Sequence, residues 1–438
     1  RSMLSPRTDQ HDDPSEYEPR HSIRKYETLV PDNEDGDEST EHDAALKLLE
    51  EALGDIPRAE DLHQPASKSR VDGPFHWIPR YNHTSWKEAQ RMSMSMARTT
   101  KPPGASAAPP MSSTPSAADG EPVLALRDSL LLSQRSSTIA RQMGMIEREL
   151  MAGIDWSELS EPSWDQHTVR QEQWQLEYQD YVMFRIRQTM NDEPSEGQKD
   201  ALRQTIHGRG IHMLIARFNR TCAWVASHIV RSNNIQERVA IVNKFIRIAW
   251  HCYRQGNMES LCQIMFGLQS PWIARLQQTW EQVSLWELRA FEALRRFTSP
   301  REQFAFLRYS MREAIETNIP SRRFSPLTTS SSPYVPFFGQ FVSDLSAIDS
   351  LASFVDASGM PNTMPLYDDQ ELSLSWDALV NVYRLRIKSH IVREFITLQR
   401  CQRQAPAPPM ELPILIEVLQ LDTLSAMAIQ STSLALEP

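Results

Sequence analysis

Glycine is scarce in this chain, with 14 residues in 438 against 29 prolines. So little glycine leaves few tight turns, and so much proline marks stretches that stay outside a packed core. No apolar run reaches the 18 or so residues of a membrane-spanning helix, which argues against an integral membrane protein. No charged-then-apolar opening resembles a secretory leader, and Arg1-Ser2-Met3 reads as the start of a piece of a longer chain. The four cysteines (Cys222, Cys252, Cys262, Cys401) show no Cys-x-x-Cys spacing. They fit buried thiols in a reducing compartment better than a disulfide frame or a zinc site. The glycine-rich phosphate loops are missing, so nucleotide binding by the chain itself is not expected. HExxH and GxSxG are missing too. His228, His251 and His390 stand singly in helical stretches, without further ligands at metal-binding spacing. Composition and spacing alone therefore give no reaction.

The charge that is present is uneven. The net charge is −10, yet residues 31–60 hold eleven acids against Lys47 and Arg58. Residues 131–438 are nearly neutral, which argues against a nucleic-acid binder, since that needs a concentrated positive face. The acidic run reads as a solvated, disordered arm rather than a binding device.

Within that arm, residues 42–53 have the pattern of one short helix, marginal by itself because few turns cannot offset nucleation. Residues 73–90 contain Phe75, Trp77, Tyr81 and Trp86, and 101–122 contain six prolines and read as a linker. From about residue 131 the pattern changes. Ile139, Met143, Ile146 and Leu150 share one helical face. Helices are predicted over 217–231, 235–255, 258–269 and 284–297. Ser299-Pro300-Arg301-Glu302 has the form of a capping box and predicts another helix to about Glu316. Loops are expected at 320–336 and 351–370, and helices over 337–350 and 372–403. No segment alternates cleanly enough for a strand. The expectation is an all-α domain over 131–438, long enough to bury a substantial core, behind an arm and linker over 1–130.

Several stretches are more particular than generic helix. They include Ile139-Ala140-Arg141-Gln142-Met143 with Ile146-Glu147, Phe218-Asn219 with Trp224-Val225, and Val239 to Ala249 with Lys244-Phe245-Ile246. Asn257-Met258-Glu259-Ser260-Leu261 with Arg275-Leu276 and Thr279-Trp280 follows, then Pro333 to Gly339 with Ser343-Asp344-Leu345. Leu379-Val380-Asn381 with Arg384 and Arg386, and the closing Ser433-Leu434 with Glu437-Pro438, complete the set. In this order they resemble the catalytic domain of the Ras guanine-nucleotide exchange factors (RasGEF).

That resemblance implies a helical bowl from which a helical hairpin projects. It implies catalysed release of GDP from a Ras-family GTPase of Ras, Rap or Ral type, with no bond made or broken. GDP, GTP and magnesium would belong to the partner, so the chain would need no cofactor or metal of its own. Action in the cytoplasm at the inner face of the plasma membrane is implied as well, with peripheral recruitment there. The hairpin would be Phe337–Ser350 with Leu372–Arg403. Its apolar wedge position falls on Ser346 and its acidic positions on Asp349 and Ser350. Asn257, Arg275, Phe337, Phe338, Asp344 and Ile348 match positions expected toward the partner, and Asn381, Arg384 and Arg386 positions that brace the hairpin. Asn257 suits a helix cap equally well, and Phe337 and Phe338 suit packing at the hairpin base. Serine at 346 and 350 departs from the family pattern. It leaves open a second reading, a scaffold that holds a GTPase without releasing its nucleotide.

Overall fold

A computed structural model describes residues 36–55, 130–160, 171–190, 208–300, 303–317, 333–356, 379–404 and 409–437, with Gly197, Ile206 and Gly359 singly. The described residues form sixteen helices and one two-stranded ribbon, in keeping with the all-α expectation. The aromatic stretch 73–90, the proline-rich 101–122 and most of both expected loops lie outside them.

In chain order the elements are α1 (Gly36–Asp55), α2 (Leu130–Ser133), α3 (Ser136–Ala152), α4 (Trp156–Ser160) and α5 (Gln171–Met190). There follow α6 (Gly210–Arg231), α7 (Ile235–Arg254), α8 (Met258–Leu268), α9 (Pro271–Ala274), α10 (Gln277–Glu281), α11 (Leu285–Phe297) and α12 (Ala305–Thr317). Then come α13 (Phe338–Asp349), β1 (Phe354–Val355), β2 (Leu379–Val380), α14 (Val382–Gln404), α15 (Leu412–Gln420) and α16 (Ala426–Leu436). Sequence patterning did not assign α5, α15 or α16.

The core is α6 and α8 packed together, with α7 and α3 closing against them. Every residue of α8 is buried, Leu261, Ile264, Met265 and Phe266 in apolar packing and Glu259 and Gln263 through hydrogen bonds. The approach of α8 to α6 depends on Gly267. A Cβ there would sit 2.9 Å from the Cys222 carbonyl oxygen. Trp224, Trp250, Phe218 and Phe245 fill the interior. Cations are buried there too, Arg217 and Lys244 among them. Arg217 is fully buried, with Nε 2.6 Å from Glu147 Oε1 and Nη1 donating to Tyr178 Oη at 2.7 Å and to the Val418 carbonyl at 2.8 Å. These bonds are what make a desolvated guanidinium tolerable, and they tie α3, α5, α6 and α15 together.

The closing motif acts the same way at another corner. Arg275 Nη1 donates to the Ser433 carbonyl at 2.6 Å, and its Nη2 to the Glu437 carbonyl. The Glu437 carboxylate accepts from the Thr279 hydroxyl at 2.8 Å and the Gln278 amide at 3.0 Å, with Arg238 Nη2 at 3.5 Å. Arg275 is buried by this closure rather than presented to a partner.

The structure corrects the sequence at four places. The acidic segment is not a solvated arm throughout, because Gly36–Asp55 is a helix docked on α11. Leu46, Leu49 and Leu53 are buried, His42 stacks on Trp286 at 6.0 Å, and Glu41 and Glu50 pair with Arg254 and Arg289. Tertiary burial supplies what so short a helix lacks alone. Helix α6 starts at Gly210, seven residues earlier than its pattern indicated. The helix expected from the capping box starts only at Ala305. Gln303 and Phe304 take left-handed φ of 57° and 63°, a turn that sends the Phe304 ring into the core, 5.2 Å from Phe337. Finally, Leu379 and Val380 are not helical but a strand, and α14 starts at Val382.

Candidate functional site: the helical hairpin

The hairpin is built from α13 and α14, which pack on each other and are joined near the turn by the β1–β2 ribbon. Its base is anchored by phenylalanines. Phe337 packs against Phe218 at 5.7 Å, Phe266 at 6.0 Å and Phe304 at 5.2 Å. Phe338 packs against Phe395 of α14 at 5.6 Å. The Phe337 ring folds over Gly339, where an added Cβ would lie 2.2 Å from its Cζ, so only glycine fits. Phe337 and Phe338 are both fully buried, which places them at the base and off the surface.

Phe337, at the N-cap of α13, brings no capping side chain. The cap comes from α8 instead: Glu259 Oε2 accepts the Phe338 amide at 2.7 Å. Burial, and then the charge of Glu147, hold the Glu259 carboxyl well above the usual carboxylate range. Gln263 Nε2 bridges the two acids at 3.0 and 3.4 Å. The start of α8 is joined to the hairpin base by backbone bonds, Met258 N to the Val335 carbonyl and Val335 N to the Gly256 carbonyl, both 2.8 Å. Asn257 lies at this junction, 2% exposed, its Oδ1 accepting the Ser260 amide at 3.1 Å. It therefore serves as the helix cap that its sequence position also allowed.

Ion pairs hold the hairpin further along. Asp344 receives both Nη groups of Arg308 from α12 at 2.6 Å each. Asp349 accepts from Arg384 Nη2 at 2.7 Å and from Lys388 Nζ at 2.8 Å. Arg384 Nε also donates to the Ile348 carbonyl at 3.2 Å. Asn381 caps α14 by accepting the Arg384 amide at 3.1 Å, and its Nδ2 reaches the Ala352 carbonyl at 2.9 Å. Of the three expected braces, Asn381 and Arg384 thus cross-link the two arms. Arg386 is exposed, and its side chain bonds to none of the described residues. Ser346 and Ile348 are half-buried on α13, and Ser350 is exposed, its hydroxyl spent on the Ala347 carbonyl at 2.6 Å.

The hairpin leaves the globule toward its turn. Along α14 exposure rises from 2% at Phe395 to 67% at Tyr383 and 68% at Val382. Leu351, Phe354, Leu379, Val380 and Leu385 are exposed as well, so the tip presents a run of apolar side chains to solvent. Sequence reasoning gave no role to these tip residues or to Lys388, Arg308 and Glu259, although Leu379, Val380 and Glu259 stand in the motifs that carry the resemblance. Lys388 carries a further signal, since it falls one helical turn after Arg384.

A family model of the RasGEF domain matches residues 138–386, more than half of the chain, and the match runs from α3 through the hairpin turn. The chain belongs to the RasGEF domain family. Curated relatives agree over shorter stretches. Guanine nucleotide exchange factor LTE1 of Kluyveromyces lactis is 26% identical over 216 residues, 49% of this chain and 13% of that protein. Ras guanine nucleotide exchange factor C of Dictyostelium discoideum is 31% identical over 132 residues, 30% of this chain and 8% of that protein. Human Rap guanine nucleotide exchange factor 5 is 36% identical over 94 residues, 22% of this chain and 16% of that protein. The matched stretches thus span under a fifth of these relatives' own length. Among the described residues of this RasGEF domain, no group of His, Cys, Asp or Glu is arranged to hold a metal, and no helix is long and apolar enough to cross a membrane.

Proposed function

We propose that this chain is a guanine-nucleotide exchange factor for a Ras- or Rap-type small GTPase, and that the hairpin tip is the part that enters the partner. The observation that carries the reading is the combination of a base locked by buried phenylalanines and ion pairs with an apolar tip standing in solvent. Exchange requires only that the domain bind the nucleotide-free GTPase more tightly than the loaded one. A stiff wedge meets that need without any acid, base or nucleophile. Asp349 is a positioning residue here, because Arg384 and Lys388 already occupy its carboxylate. The separation of the GTPase from its nucleotide then falls to the apolar tip rather than to a repelling acid.

The second reading, a scaffold that holds a GTPase without speeding release, draws on the same facts. Serine stands at 346 and 350, and Asp349 is engaged by two cations. Release of a fluorescent GDP analogue from a panel of Ras, Rap and Ral proteins, with the full chain as catalyst, separates the two. Acceleration on at least one partner is expected. Tight binding to the nucleotide-free form with no acceleration on any would establish the scaffold instead.

A further inference from the structure

The chain is acidic overall, yet α14 carries Arg384, Arg386, Lys388, Arg393, Arg400 and Arg403 against the single acid Glu394. These charges divide by helix face. Arg384 and Lys388 point back to Asp349, on the side where Ile391, Phe395 and Leu398 are buried. Arg386, Arg393 and Arg400 recur every seven residues, two turns apart, and so line the opposite side over about 21 Å. All three are exposed, and none of their side chains pairs with a described residue. His390 lies on the same side, and Glu394 stands on its flank, half-buried and 3.4 Å from His390. The usual fate of a surface charge, interspersion with its opposite, is absent from this strip. It is also continuous with the tip: Val382 and Tyr383 lie one turn before Arg386 on that side. An apolar centre with a polar rim is the anatomy of a protein–protein interface, and arginine is the charged residue such interfaces favour.

We propose that Arg386, Arg393 and Arg400 form a cationic rim that draws in and orients a GTPase bearing an acidic patch beside the surface met by the hairpin tip. The proposal rests on the exchange reading and names a feature of the partner that reading leaves open. Bidentate guanidinium groups on a rigid helix suit fixed carboxylates of a folded partner, and charges at a rim act chiefly on encounter rate. An anionic lipid surface is the competing occupant. Three arginines contribute only about 1 kcal/mol each at such a surface.

The test uses the full chain and its R386Q/R393Q/R400Q variant, with R187Q, an exposed arginine on α5, as control. GDP release is followed against GTPase concentration at about 50 and about 500 mM NaCl, conditions that differ several-fold in screening length. The triple variant is expected to lose about tenfold in kcat/KM at low salt, with kcat changed less than about twofold, and the gap is expected to close at high salt. Unchanged kcat/KM with exchange intact overturns the rim and leaves exchange standing. A fall in kcat alone overturns it too, because the arginines would then be structural. Loss of binding to phosphatidylserine vesicles with GTPase kinetics unmoved reassigns the strip to a membrane. Should the parent chain accelerate no GTPase, exchange fails separately, and association with nucleotide-free GTPase becomes the readout. A slower on-rate for the variant upholds the rim, and equal rates or no binding reject it.

Discussion

Lys388 holds Asp349 with Nζ at 2.8 and 3.1 Å from its two carboxylate oxygens, and the same ammonium donates to the Ser160 carbonyl at 2.8 Å. One side chain therefore joins both arms of the hairpin to α4. Lys388→Met should free α4 from the hairpin and remove one of the two cations that tie its arms through Asp349, while preserving the stem's packing. The expected stability loss is about 1–2 kcal/mol, because Asp349 keeps Arg384. GDP-release rates should fall more than the melting temperature suggests. Asp349→Ala should behave similarly, leaving two cations facing each other. Exchange at the parent rate in both variants would remove this tie from hairpin positioning.

Tyr383→Ala tests the tip. The ring is mostly in solvent, so unfolding should move by less than about 0.5 kcal/mol. If the tip enters a GTPase, the same change should cost about 2 kcal/mol of binding, seen as roughly a thirtyfold rise in the partner concentration needed for half-maximal release. Equal loss of melting temperature and activity would mean the residue supports the fold instead.

Glu259 supplies a pH signature. Its carboxyl sits well above the ordinary value of 4.5, so the folded chain holds a proton that the unfolded chain gives up. Stability from this group is complete below that ordinary value and is lost as pH rises toward the raised one. Glu259→Gln should flatten that decline while keeping an acceptor for the Phe338 amide. Glu259→Ala should cost about 1–3 kcal/mol by leaving the amide unsatisfied. Denaturant midpoints taken from pH 5 to 8 decide the matter, and parallel slopes for parent and Gln variant would contradict it.

Leu49→Asp should release α1. Leu49 is buried against the domain, and a carboxylate there cannot be hydrated or paired without undocking. Amide exchange over residues 40–53 should lose protection while α6 and α8 keep theirs, because α1 docks chiefly on α11. Retained protection over that span would show the docking to be held by the Glu41 and Glu50 ion pairs alone.

What could be read beforehand followed from local periodicity. The helices α7, α8 and α11 are legible because apolar residues return every three or four positions, with Asn257 as a cap ahead of α8. The start of α12 was not visible, because the burial of Phe304 beside Phe337 overrides the Ser299–Glu302 capping signal. The docked α1 was misjudged because its charge announced solvent while three leucines, spaced for one face, found a groove. At the site, Asn381 and Arg384 were recognisable as braces from their motif. Phe337 and Phe338 could not be sorted between base and contact without knowing that Phe218, Phe266 and Phe395 surround them. The same motif match grouped Arg386 with the braces, but two residues beyond Arg384 its side chain turns to another helix face.

The Glu437 closure carries a consequence for biosynthesis. Arg275 finds its acceptors only at Ser433 and Glu437, 158 and 162 residues further along the chain, and Arg238 shares the Glu437 carboxylate. Until that stretch has been translated, the Arg275 guanidinium lacks these two acceptors, and the nascent domain stays open at that corner. A chain truncated ahead of Ser433 is therefore expected to leave that guanidinium unsatisfied and the corner loosened.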